Sequence, residues 1–233
     1  MEIRKLYSIL LLLTPLVFSC SSDTEQQGLT EIANYWGQQV SMTKGFSAKI
    51  NEGNIKYVEI EVNNSGFFNE GAELKPVAGG IAFLFYKNLA DAEKTKYEKY
   101  SITLKDDKGS SASFDFPLNK VVAYFENEKI ANQYYTKLLQ GDLDYIYTNF
   151  RSPDFPKDTL VNAFHPLINK SKNFDKIGTY KIVPLTYKLT DGEIEGIHFE
   201  GIIFEKDSVL QNFSIAIDPA KKQKNIISIR YWE

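Results

Sequence analysis

At 233 residues and 43% hydrophobic composition, the chain is long enough to bury one large or two small apolar cores. Its net charge of −3, from 27 basic and 30 acidic residues, argues against a nucleic-acid or anionic-lipid partner held by bulk charge. One cysteine excludes an intrachain disulfide, so folding rests on apolar burial, to which 14 Tyr and 16 Phe contribute heavily.

The chain opens with a basic start at Arg4 and Lys5, then the apolar run Ile9 to Phe18, then the small residue Ser19 before Cys20. Basic, apolar and small in that order is the pattern of a secretory signal over residues 1–19. The run is too short for a membrane span, which needs about 20 apolar residues. The segment Val17-Phe18-Ser19-Cys20 resembles the lipobox of bacterial lipoproteins. That resemblance implies cleavage before Cys20, a diacylglyceryl group on its sulfur and acylation of the freed amine. It also implies a cell-envelope location anchored to the membrane by lipid, with Ser21 in place of an aspartate pointing to the outer membrane. Residues 20–28 then read as the lipidated cysteine and a flexible polar tether, since Ser21 to Gly28 contains no apolar residue.

An N-terminal α+β domain is expected over residues 29–120. Leu29, Ile32, Ala33, Trp36 and Val40 recur at helical spacing, so a helix is expected from Leu29 to Met42 with Thr30 as its cap. Residues 56–64 alternate as a half-buried strand. Val77, Ile81, Phe85 and Leu89 predict a helix, despite the pair Gly79-Gly80. Residues 100–116 read as a hairpin turning at Asp106-Asp107-Lys108-Gly109.

A second α+β domain is expected over residues 121–233. A buried stripe runs along a helix over 129–140, which Gly141 stops, and Asp142 caps a second helix ending near Phe150. Asp158 is expected to cap a third helix over 159–170, which Pro166 kinks or shortens. Four alternating segments, 179–189, 193–205, 209–218 and 225–232, with short turns between them, predict an antiparallel meander. The fold class is therefore α+β in two small domains, with the helices of the second packed on a curved four-stranded antiparallel sheet. Leu138-Leu139 to Tyr147, with Gly141-Asp142 between the helices and Gly178-Thr179-Tyr180 entering the first long strand, resembles the cystatin-like, nuclear-transport-factor-like fold. The resemblance implies a cone between helix and sheet that some members use as an isomerase or dehydratase site. Tyr135, Tyr147 and His198 are the residues that would face such a cone.

Catalytic motifs are sparse. No G-x-S-x-G elbow, phosphate loop or calcium-loop spacing occurs, and the two histidines, His165 and His198, stand apart with no second ligand at metal-site spacing. No metal or cofactor is expected. Asp158-Thr159-Leu160 and Asp207-Ser208-Val209 resemble an O-glycosylation motif of some bacterial envelope proteins, with Thr159 and Ser208 as acceptors. These features favour a lipid-anchored, non-enzymatic binding or assembly module with an unknown small-molecule or protein partner and no nucleic acid. The alternative is an isomerase or hydrolase acting on a small substrate in the C-terminal cone.

Overall fold

The computed structural model of the chain describes residues 21–36, 39–49, 53–64, 66–69, 73–151, 153, 155–170, 176–189, 192–205 and 208–232. The expected signal peptide and Cys20 lie outside them. The fold is α+β, with two four-stranded sheets. The elements in order are α1 (Asp23–Trp36), β1 (Val40–Lys49), β2 (Gly53–Asn63), α2 (Leu74–Asn88), β3 (Lys99–Lys105) and β4 (Ser111–Pro117). They continue with α3 (Leu118–Leu139), α4 (Leu143–Asn149), α5 (Lys157–Lys170), β5 (Lys176–Leu189), β6 (Gly192–Glu205), β7 (Ser208–Ile217) and β8 (Ile226–Trp232).

The first sheet has the order β1-β2-β3-β4 and is mixed. β1 with β2 and β3 with β4 are antiparallel hairpins, whereas β2 and β3 run parallel through the α2 crossover. The second sheet, β5-β6-β7-β8, is wholly antiparallel in sequence order, as the alternating segments predict. The expected helices over Val77–Leu89 and 143–150 and the expected hairpin over 100–116 are also present. Gly141 ends α3 with a positive φ of 80°, and the Asp142 carboxylate accepts from the Tyr145 N–H to start α4.

Three expectations need correction. The first helix begins at Asp23 rather than Leu29, so the stretch read as tether is helical from Asp23 onward, and Thr30 lies inside the helix. That helix ends at Trp36, and Val40 to Met42 belong to β1. The stripe expected over 129–140 is only the second half of α3, which starts at Leu118, directly after the edge-strand residue Pro117. Proline fits there because its fixed φ and missing N–H cost nothing at a helix start.

Buried side chains from Leu29 to Ile229 form one contiguous cluster across both halves of the chain. Helix α2 sits at its middle, with every residue from Ala78 to Tyr86 buried. It packs against α1, β3 and β5, so elements of both sheets meet on it. Gly79 permits this contact: a Cβ built there would lie 3.1 Å from the Ile182 carbonyl oxygen of β5. The glycine pair that weakens α2 by helix propensity is thus what lets it approach the second sheet. Gly79→Leu is expected to cost about 3 kcal/mol, because the larger side chain must displace β5 main chain. Gly79→Ala should stay near neutral, since a propensity gain of about 1 kcal/mol offsets the tight contact. Urea unfolding midpoints followed by circular dichroism measure both.

Candidate functional site

Two regions combine buried polar chemistry or open apolar surface. The first is the start of α1. Ser22 and Glu25 form a reciprocal capping box: the Ser22 N–H donates to Glu25 Oε2 at 2.8 Å, and the Glu25 N–H donates to Ser22 Oγ at 3.2 Å. Glu25 is fully buried, yet three side-chain donors converge on it. Lys44 Nζ of β1 lies 2.5 Å from Oε2, and Lys96 Nζ and the Tyr97 hydroxyl lie 2.8 and 2.5 Å from Oε1. The Thr24 hydroxyl donates to Glu93, which ties the same turn to the segment before β3. Burial alone raises the Glu25 pKa, but hydrogen bonds from Lys44, Lys96, Tyr97 and the Ser22 N–H outweigh it and hold the carboxyl at about 2. The Tyr97 hydroxyl is pushed upward by burial and by this carboxylate. The cluster is a clamp that fixes the chain immediately after Cys20.

The second region is an apolar cleft of about 210 Å³ between α5 and β8, the outer strand of the second sheet. Thr159, Leu160, Ala163 and Phe164 of α5 form one wall, Ile227 to Ile229 form the other, and Phe150 and Phe155 close one end. Amphipathic spacing explains the α5 wall: Leu160, Phe164 and Leu167 are buried, while Thr159 and Ala163 stay exposed at the rim. Phe150 is placed by a parallel bridge to Ile226, and the next N–H, that of Arg151, donates to the Ile226 carbonyl at 2.8 Å. The Arg151 guanidinium pairs with buried Asp218, and the Tyr134 hydroxyl donates to Asn225 Oδ1 at 2.5 Å. These contacts lock α3 and the end of α4 to the β7–β8 turn. Edge-to-face stacking of Phe150 on Phe155, at 5.3 Å and 87°, completes the end wall.

Tyr135, Tyr147 and His198 are not brought together. Tyr135 is fully buried, with its ring centroid 3.9 Å from that of Phe213 and its hydroxyl donating to the Arg230 carbonyl at 2.8 Å. The space between α3 and the second sheet is filled at that point by aromatic packing. The Tyr147 hydroxyl donates to the Phe155 carbonyl at 3.0 Å, so Tyr147 supports the cleft from behind. His198 has the opposite strand parity to Ile197 and Phe199. It pairs with Ala216, whereas Tyr135 packs on Phe213, so it projects from the other sheet face, 3.6 Å from Glu200. Thr159 is exposed at the cleft mouth, and Ser208 opens β7 opposite Glu205. Among the described residues no group of three His, Cys, Asp or Glu is placed to hold a metal ion, and no helix is long and apolar enough to cross a membrane.

The clamp had a legible signal, the capping-box spacing Ser22-x-x-Glu25 ahead of the helically spaced Leu29, Ile32 and Trp36. The cleft had none, because its walls come from three separated segments. Comparison with protein-family models, with curated proteins and with solved structures returned no match for this chain.

Because the folded-state pKa of Glu25 is depressed, its contribution is complete above about pH 4.5 and is lost as the pH falls toward 2. The Lys96 side chain is 41% exposed, so solvent screens part of the pairing, and the contribution is expected at about 2 kcal/mol. Glu25→Gln should therefore destabilise the chain by about 2 kcal/mol at pH 7 and flatten the decline in stability below pH 5. Urea titrations at pH 7, 5 and 3 read both effects.

Proposed function

We propose that this chain is a cell-envelope lipoprotein anchored through Cys20 that works as a binding module, with the α5–β8 cleft as its ligand site. The cleft is the observation that carries the binding reading: seven of its nine lining residues are apolar and its mouth is open. Its volume is below the 300–1,000 Å³ usual for whole-ligand pockets, so it suits one apolar end of a small ligand, with Thr159 and Ser228 as polar contacts at the rim. The isomerase or hydrolase alternative gains no support from Tyr135 and Tyr147, whose hydroxyl protons are committed to main-chain carbonyls.

The anchor reading rests on the segment Val17 to Cys20 and is served by the clamp that begins two residues later. Outer-membrane sorting follows from Ser21 on the same resemblance. We also read α3 to β8 as a cystatin-like domain, with a curved meander wrapping α3, and the elements before it as a second small domain whose core joins it through α2. Contacts of α3 with β6 and β7 support the first part of that reading.

Two experiments test the function. Mass spectrometry of the mature N terminus is expected to show an acylated Cys20, and Cys20→Ala is expected to release the protein from membranes. An unmodified N terminus, or a variant that stays membrane-bound, overturns the anchor. For the cleft, exposed Ala163 offers a site where Trp fills the volume without disturbing the core. Ala163→Trp should abolish the fluorescence enhancement of an apolar dye such as anilinonaphthalene sulfonate while leaving the unfolding midpoint unchanged. Undiminished dye binding would remove the cleft as the site.

A further inference from the structure

The β1–β2 hairpin outruns its sheet. β2 pairs with β3 only from Tyr57 onward, whereas its pairing with β1 continues back through Lys56 and Phe46 to Gly53 and Lys49. Residues 46–49 and 53–56 therefore form a two-stranded ribbon beyond the edge of the four-stranded sheet. Phe46 stands on it 74% exposed, the most exposed large hydrophobic side chain among the described residues. Side-chain alternation puts Phe46 on the sheet face of Lys44, and Lys44 is opposite buried Val58. That is the face α1 covers.

The direction of α1 decides what lies beside Phe46. Its first turn is held at Lys44 through Glu25. Its last residue, Trp36, accepts at its carbonyl from the Asn64 side chain at the far end of β2. The helix thus runs away from the ribbon, and its first turn is the end of it nearer the ribbon. Phe46 is two residues beyond Lys44 toward that end, about 7 Å along the strand. Cys20 is three residues before Asp23, so at most about 11 Å of chain separates it from the helix. A headgroup layer alone is about 5–8 Å thick, which uses most of that reach.

We propose that this end of the molecule is a membrane-docking face, with Phe46 set into the headgroup–acyl boundary beside the Cys20 lipid. The proposal rests on the anchor reading above. A short, clamped leader gives the body no length with which to stand off from the bilayer, and the ribbon is the part that projects toward it. Charge at this end is mixed: Lys56 pairs across the strand with Phe46, but Asp23 and Glu98 are exposed as well. The contact is therefore apolar in origin and independent of anionic lipid.

The test uses the full lipidated protein carrying Phe46→Cys. Its natural cysteine is blocked by the lipid, so a polarity-sensitive fluorophore labels position 46 uniquely. Ser111→Cys is the control, exposed on β4 at the opposite edge and opposite end of the same sheet. In phosphatidylcholine vesicles, the label at 46 should shift to the blue and brighten several-fold, unchanged by high salt, while the label at 111 reports water. A co-floating protein with an acylated N terminus and an unshifted label at 46 overturns the docking face and leaves the anchor standing. Equal shifts at both positions show that no face is fixed and likewise overturn it. Shielding of position 46 in native envelope fractions but not in lipid vesicles assigns the face to a protein partner instead. An unacylated N terminus overturns the anchor and the docking face together.

Discussion

A carboxylate with no exposure to water is expensive unless its oxygens are saturated, and Glu25 meets that requirement from four directions. One partner is its own helix start, one is on β1, and two precede β3. Satisfying a single buried charge therefore ties the N-terminal helix to β1 and to the segment that enters β3. Removing any donor leaves the others facing an under-compensated group, so the cluster acts as a unit. Its position matters more than its strength. It fixes the first residues after Cys20 and thereby turns what composition suggests is a loose leader into the entry of a packed helix.

The second constraint is α2. A helix buried over nine consecutive residues needs neighbours all round, and α2 finds them in α1, β3 and β5. Its continuous apolar run was legible in the sequence because no polar stripe interrupts it. The closeness of its contact with β5 was not, since Gly79 reads locally as a weakness and only the packed structure shows the carbonyl that a side chain would meet. The same contrast holds elsewhere. The four C-terminal strands were legible within a few residues because alternation and short turns are local properties. β1 was not, because Gly45 and the polar residues around it dilute its alternation, and Leu29 to Val40 happens to continue a helical spacing across the real end of α1 at Trp36. The first eleven residues of α3 were missed for a related reason: its stripe is weak where the helix leaves the sheet and clearer from Ala131, where it meets the second sheet.

Candidate site residues were less legible than the elements that carry them. Aromatic residues on α3 and α4 look alike in sequence, yet Tyr135 is a core residue stacked on Phe213, and Tyr147 buttresses Phe155. His198 is separated from both by strand parity, a distinction of one residue that depends on which face α3 covers. The cleft is assembled from Phe150, α5 and the edge of β8, which meet through the Phe150–Ile226 bridge and the Arg151–Asp218 pair. Neither contact leaves a pattern at fixed sequence spacing. By contrast, the Ser22-x-x-Glu25 pair has a local spacing, although the polar residues around it read as a tether.

The two candidate regions draw on different sheets, and that separation has a mechanical consequence. The clamp and the ribbon belong to the first sheet, whereas the cleft borders the outer strand of the second. Between them stands α2, rigid because its buried length leaves no room for a second packing. Phe46 and Ala163 are both exposed and neither is part of the shared core. Changes at the two sites should therefore add, with little coupling energy, as expected for positions that share no partners. An effect of the lipid-proximal ribbon on the cleft would have to pass through α2 and its contact with β5 at Gly79. A measurable coupling between the two ends would mark that contact as a two-state element, not a fixed strut.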